Sequence, residues 1–201
     1  MNILYLGLDP KNFVCEGNLI HYPVIRIAPL QGPDFTSAVE LWPSFTHVIF
    51  TSQSAVLHWD LDLAGKSILA IGAATAASIR KRGVEPLVAS SATQEGVIQL
   101  LETLDLNCAH LFLPRSKKAR SCLTDYLSQK QIPFFALDLY EPMFQKLEPV
   151  PNLKEVDEIV FTSPSTVEAF FQIYEAIPAH IKVRAIGPIT EEFYRKNKLL
   201  H

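Results

Sequence analysis

Long apolar runs are missing from this 201-residue chain, and no stretch reaches the roughly 18 residues a membrane-spanning helix needs. Charge of one sign is scarce too. Eighteen Lys and Arg face 21 Asp and Glu, a formal net charge of −3, so the molecule as a whole does not attract nucleic acid. Any anion must be met by local positive features. The three cysteines, Cys15, Cys108 and Cys122, are odd in number and lack metal or redox spacing; they fit reduced thiols in a cytoplasmic protein. The six histidines show no H-x-x-x-H or Cys–His pairing, so no metal is expected, and His47 and His110 read as polar strand-edge residues. G-x-S-x-G and G-x-G-x-x-G are absent. "GKS" at 65–67 resembles the end of a phosphate-binding loop, but Asp60 stands where that loop needs glycine, so Lys66 reads as a solvated turn residue. No local nucleophile–base pair stands out. An enzyme built this way would work by binding, orientation and electrostatics.

What is present is a globular composition, 48% hydrophobic and 19% charged, long enough for one large or two small domains. The opening "MNILYLGLDP" has no basic region before its apolar run and no small-residue cleavage site after it, so it reads as a strand. Strands are expected at 2–7, 23–29, 46–51, 67–71, 86–89, 110–114, 134–140, 158–162 and 182–186. Helices are expected near 53–60, 74–83, 94–104, 117–130, 165–176 and 189–197. This alternation is the mark of an α/β fold with parallel sheets. "APLQGPDF" (28–35) and "YEPMFQKLEPVPN" (140–152) look like crossings between lobes. The expected organisation is a discontinuous first lobe, 1–30 plus 145–201, and a second lobe, 31–144, with a ligand cleft between them.

The chain also repeats itself. "FTSQS" (50–54) returns as "FTSPS" (161–165), and "AIGAATAASIRK" (70–81) as "AIGPITEEFYRK" (185–196). The offset changes only from 111 to 115, so each lobe looks like one version of a common α/β unit. Each first piece is a buried strand running into Thr-Ser, with serine a favoured helix N-cap and Pro164 suited to the first helical position. The free N–H groups of that first turn would make an anion site. Each second piece is a strand, then Gly72 or Gly187 for close backbone passage, then Thr75 or Thr190. Serine and threonine in such turns are ordinary caps; four of these turns on one edge suggest donors lining a polyanion site. The basic run "RSKKAR" (115–120) follows a strand. Arg115 is its favoured site residue, with Lys117, Lys118 and Arg120 expected around the first turn of the next helix or on a solvated basic face.

"VIFTSQSAV", "ILAIGAATAASIRKRG", "LFLPRSKKARSCLTDYLSQKQI", "LDLYEP", "IVFTSPSTVEAFF" and "AIGPITEEF" occur in this order, and the chain resembles the uroporphyrinogen-III synthase family over nearly its full length. The resemblance implies two flavodoxin-like lobes, each a parallel sheet flanked by helices, joined by a two-stranded linker. It implies cyclisation of hydroxymethylbilane to uroporphyrinogen III with inversion of the last ring, loss of water and no cofactor. Tyr140 in "LDLYEP" matches the family's cleft tyrosine, a proton donor to the leaving hydroxyl or else a packed aromatic. Thr51, Ser52, Ser54, Thr75, Arg115, Thr162, Ser163, Ser165 and Thr190 are the implied substrate-binding residues. The expected partners are the bilane, transient contact with the deaminase that forms it, and a second copy in a homodimer; nucleic acid and membrane are not expected. The competing reading is a non-catalytic two-lobed binder of a tetrapyrrole or other polyanion. Two departures mark a short form. The segment between 2–7 and 23–29 is where the family fits a whole helix, and the sequence stops at His201 straight after the last expected helix. A first lobe of about four strands would then leave a sheet face bare, calling for a partner or another cover.

Overall fold

Short runs such as "HVIF", "SILA" and "EIVF" are apolar at nearly every position, as parallel strands buried on both faces must be. In the computed structural model, which describes residues 1–11 and 13–198, they form the centres of two sheets. The chain order is β1 (Asn2–Tyr5), β2 (Asn18–His21), β3 (Ile25–Pro29), α1 (Pro33–Leu41), β4 (His47–Phe50), α2 (Gln53–Leu57), β5 (Ser67–Ala70), α3 (Ala73–Arg80), β6 (Leu87–Val88), α4 (Gln94–Leu101), β7 (Leu111–Ser116), α5 (Cys122–Gln129), β8 (Phe134–Phe144), β9 (Glu158–Phe161), α6 (Pro164–Phe171), β10 (Lys182–Ala185) and α7 (Pro188–Lys198).

Two compact units result. The first is Met1–Arg26 with Pro142–His201, the second Ile27–Glu141. The first boundary falls inside β3 and the second inside β8, and these two strands are neighbours in the six-stranded sheet β3-β8-β7-β4-β5-β6. The four-stranded sheet of the first unit has the order β10-β9-β1-β2, with β1–β2, β1–β9 and β9–β10 all parallel. In the second sheet β4–β5, β4–β7, β5–β6 and β7–β8 are parallel. The C-terminal ends of the parallel strands therefore share one edge in each sheet, the edge where open α/β sheets bind ligands.

Side chains alternate across each sheet. In the second unit Val48, Phe50, Ile68, Ala70 and Phe112 pack on one face with Trp59 and Ala76. Ile49, Leu69, Leu111 and Leu113 pack on the other with Val97, Leu101, Leu123 and Leu127 of α4 and α5. In the first unit Leu4, Ile159 and Phe161 lie against Val167 and Phe170 of α6, with Tyr194 of α7 stacked on Phe161. The opposite face, expected to be bare, is covered. The described part of segment 6–17 holds no helix, yet it lays Phe13 and Cys15 over Ile3, Tyr5 and Val160. The Phe13 ring lies 5.0 Å from that of Tyr5 and carries the Arg184 guanidinium at 5.6 Å. Arg184 in turn makes a two-pronged ion pair with the fully buried Glu158 (2.9 and 3.1 Å). A loop does the work of the helix.

Several expectations are corrected. Strand 23–29 joins the second sheet as β3, and the first sheet is completed instead by β2, an edge strand whose "NLIH" is only half buried. The proline stretch 28–35 contains the start of α1, with Pro33 in its first turn; a single buried residue, Ala38, gives that helix almost no apolar period. α5 begins at Cys122 rather than 117, because β7 runs on to Ser116 and a turn at 117–118 and irregular chain follow it. Lys66 is not a solvated turn residue. Its Nζ donates to the carbonyls of Trp42 (2.9 Å) and Phe45 (2.7 Å) and sits 4.5 Å from the Trp42 ring centre, and desolvation lowers its pKa.

Candidate active site

Tyr140 reaches its place through an irregularity in pairing. β8 follows β7 residue for residue up to Arg115↔Asp138, then Ser116 pairs with Tyr140, leaving Leu139 as an extra residue. A strand places alternate side chains on opposite faces, but a bulge resets that count. Tyr140 accordingly packs in the same cluster as Leu137 and Leu139, and only 6% of it is exposed. Its hydroxyl lies 2.7 Å from Ser52 Oγ. Ser52 is the N-cap of α2, its Oγ accepting from the N–H of Ala55 at 3.0 Å. Burial raises the Tyr140 pKa, while the hydroxyls of Ser52 and Ser54 pull it back, so the phenol is neutral at pH 7. The His58 ring lies 6.1 Å from the Tyr140 ring.

Around this pair stand the other candidates of the second unit. Thr51, Ser52 and Ser54 follow β4, Thr75 lies in the first turn of α3 after β5, and Arg115 is near the end of β7; all are at the C-terminal edge. Thr51 and Arg115 also line a small cavity of about 10 Å³ together with Gln94 and Arg120. Arg115 is engaged by Asp138, its Nε donating to Oδ1 at 2.9 Å. Lys117 faces Glu141 (3.5 Å) and Arg120 grips Glu95, holding that carboxyl down at about 2. Gly72 permits close passage, as a Cβ there would lie 2.9 Å from that of Ala92.

In the first unit Thr162, Ser163 and Ser165 follow β9, and Thr190 lies in the first turn of α7 after β10, again at the C-terminal edge. Here fewer turn amides are left for the expected anion site than the sequence suggests. Ser163 caps Thr166 N–H (3.4 Å), and the buried Thr166 hydroxyl takes the N–H groups of Thr162 (3.1 Å) and Ser163 (3.2 Å). Pro164 has no N–H at all. The capping box occupies the amides of Thr162, Ser163 and Thr166, and the Ser165 N–H is the first-turn donor outside it. Gly187 is in the left-handed region at φ 83, where glycine is favoured, with open space around it, so its role is conformational rather than the close passage expected. Gly7 supplies the close passage instead, since a Cβ there would fall 2.6 Å from Thr162 Cγ2.

The model of the family described as Uroporphyrinogen-III synthase HemD matches residues 16–201. The chain belongs to the uroporphyrinogen-III synthase family. A relative from Methanothermobacter thermautotrophicus, provisionally named a uroporphyrinogen-III synthase, is 32% identical over 166 residues, spanning 71% of this chain and 66% of its own length, just under two thirds. A crystal structure of mutant uroporphyrinogen III synthase from Thermus thermophilus superposes with a TM-score of 0.64 at 20% identity, covering 97% of this chain and 88% of that one. The uroporphyrinogen-III synthetase of Helicobacter pylori gives 0.65 at 18% identity, covering 98% and 88%. At such identities the two structures show the fold: α/β, with parallel sheets flanked by helices.

Sequence reading missed four residues that hold the candidate side chains and turns of each unit: Asp138 on Arg115 and Gln94 in the second, Thr166 on the β9–α6 turn and Gly7 beneath Thr162 in the first. Gln94, only 8% exposed, accepts from Leu123 N–H at 3.0 Å and donates to the Arg120 carbonyl at 3.1 Å. Only Thr166 carried a signal, as the third helical residue after a Ser-Pro cap. The other contacts join positions at least 23 residues apart in sequence. Among the described residues no helix is long and apolar enough to cross a membrane, and no three His, Cys, Asp or Glu gather as a metal site would require.

Proposed function

We propose that the protein is a uroporphyrinogen-III synthase, a lyase that cyclises hydroxymethylbilane with inversion of ring D and loss of water. The observation that carries the reading is the Tyr140–Ser52 pair: a neutral buried phenol, aimed by a bulge and hydrogen-bonded at 2.7 Å, at the ligand-binding edge of a parallel sheet. In the proposed reaction Tyr140 is the acid. As the pyrrole nitrogen pushes electrons toward the hydroxymethyl carbon, its C–O bond breaks and the oxygen leaves as water with the proton Tyr140 provides. Ring D then closes through its substituted carbon to a spiro intermediate, which rearranges. Loss of the proton from the new ring junction restores the phenol.

The remaining roles follow from the residues' chemistry. Arg115 offers a guanidinium to a substrate carboxylate in exchange for Asp138, and Thr51, Ser52, Ser54 and Thr75 offer hydroxyls. Thr162, Ser163, Ser165 and Thr190 are proposed to bind substrate through their side chains, because the turn amides of the first unit are largely taken. No step requires a cofactor. Because the bilane also closes unaided to the type I isomer, transient contact with the deaminase that forms it would favour the enzymic product. Both proteins would then act in the cytoplasm.

The test generates hydroxymethylbilane in the presence of this protein, oxidises the products and separates the isomers. Predominantly type III porphyrin is expected. Type I porphyrin alone, with folded protein in excess, would sink the synthase reading and leave a non-catalytic binder of tetrapyrroles.

A further inference from the structure

Two linked hydroxyls, those of Tyr140 and Ser52, stand at this turn and differ in exposure. Tyr140 is 6% exposed and its hydroxyl is already bonded to Ser52, whereas Ser52 is half-buried and stands at the strand-to-helix turn itself. Ser52 Oγ accepts from Ala55 N–H at 3.0 Å. A hydroxyl oxygen has two acceptor sites and one proton. The Ser52–Tyr140 bond can run either way; when Tyr140 donates and Ala55 N–H fills the other acceptor site, the serine's own proton is left for a further acceptor. The geometry has the form of a two-step relay, fixed at one end by a helix cap and at the other by a bulged strand.

We propose that Ser52 is the residue that touches the departing hydroxyl, giving it the Oγ proton while taking the Tyr140 proton in the same event. This deepens the synthase reading and rests on it. The balance is simple. The C–O bond of the hydroxymethyl group breaks, its electron pair leaves with the oxygen, and the serine proton completes the water molecule. The serine is remade by the phenol's proton, and the phenolate recovers its own when the cyclised product loses the proton at the ring junction. Because burial disfavours a phenolate, Tyr140 gives up its proton only as C–O cleavage leaves the cationic azafulvene whose charge offsets it. The hydroxyls of Ser52 and Ser54 ease the charge on the phenol oxygen as it develops. In this arrangement Tyr140 acts through Ser52 and is a positioning and proton-supplying residue.

The experiment compares full-length variants in the bilane assay, with isomer analysis and rates in mixtures of light and heavy water. Ser52→Asn keeps a good helix cap and fills the site but has no acidic proton to pass on, and Ser52→Gly, which weakens a cap only slightly, is the second variant should the larger side chain impair folding. Each serine variant and Tyr140→Phe is expected to lower kcat by about 100-fold with KM within about twofold, the scale of a lost general acid. The double variant should be no worse than the poorer single within about threefold, since the two hydroxyls act as one unit. Ser52→Thr should restore most of the rate. The rate against heavy-water fraction should bow in the wild type, with two protons in flight, and straighten in Tyr140→Phe. A serine variant that keeps kcat within about threefold while Tyr140→Phe falls, or single losses that multiply in the double variant, would overturn the relay alone. Type I product from the wild type would instead overturn the synthase reading and the relay with it.

Discussion

Asp138 shows how a single side chain sets what its neighbour can do. It pairs with Arg115 at 2.9 Å, but Arg115 keeps 25% of its side chain exposed and Asp138 41%, so the pair is partly hydrated. Partly exposed pairs contribute little to stability, and the fold should lose under about 1 kcal/mol if Asp138 becomes Asn. Binding responds differently, because Asp138 competes with every carboxylate that approaches Arg115. Asp138→Asn is expected to lower KM for the bilane by about two- to fivefold, the range that an exposed charge pair supports. Steady-state rates at fixed ionic strength measure this; a raised KM with unchanged kcat would mean that Asp138 aims the guanidinium rather than competing for it. Nothing near Arg115 in the sequence announces this partner, 23 residues away. By contrast Ser52 and Ser163 are legible as caps, because a cap's partner lies three residues on.

Elements were legible where burial and local chemistry agree. β4, β5 and β9 are buried along most of their length and read as apolar runs, and α4 has Val97 and Leu101 on one face behind a Thr93 cap. β2 and α1 escaped because each leaves too few residues in a core to imprint a period. The bulge at Leu139 escaped because register is a property of two strands, and it decides where Tyr140 points. The start of α5 was misplaced for a related reason: its cap comes from another helix. Ser121 makes no side-chain cap, and the buried Gln94 of α4 accepts from Leu123 N–H instead. Gln94→Leu would leave that N–H without a partner beneath the α4–α5 contact. A loss of about 1–3 kcal/mol is expected in urea unfolding, the cost of a stranded buried donor. A loss within error would mean that water reaches the α5 start.

At the scale of the molecule the internal repeat is legible because "FTSxS" and "AIGxxT" are local motifs that survive wherever a parallel strand meets its helix. Covering the first sheet with a loop in place of a helix was not foretold, because Phe13 and Cys15 form no periodic pattern. The second unit is continuous, whereas the first is made of 1–26 and 142–201. β3 and β8 are neighbours in the second unit's sheet, so forming that sheet brings together the two segments from which the first unit is built. Without it, the first unit must close a loop of more than 100 residues, with the corresponding entropy cost. Loss of the first unit should therefore leave the second folded, while loss of the second should take the first with it. Both tryptophans, Trp42 and Trp59, lie in the second unit and pack on Phe112, so their fluorescence reports that unit alone. In urea, far-UV circular dichroism is expected to begin falling before tryptophan fluorescence changes. Leu4→Ala, which empties a fully buried position in the first unit, should destabilise the early phase by about 2–5 kcal/mol and leave the fluorescence midpoint in place. Val48→Ala, in the second unit's core, should move both signals. If Leu4→Ala shifted fluorescence and dichroism together, the two units would be unfolding as one.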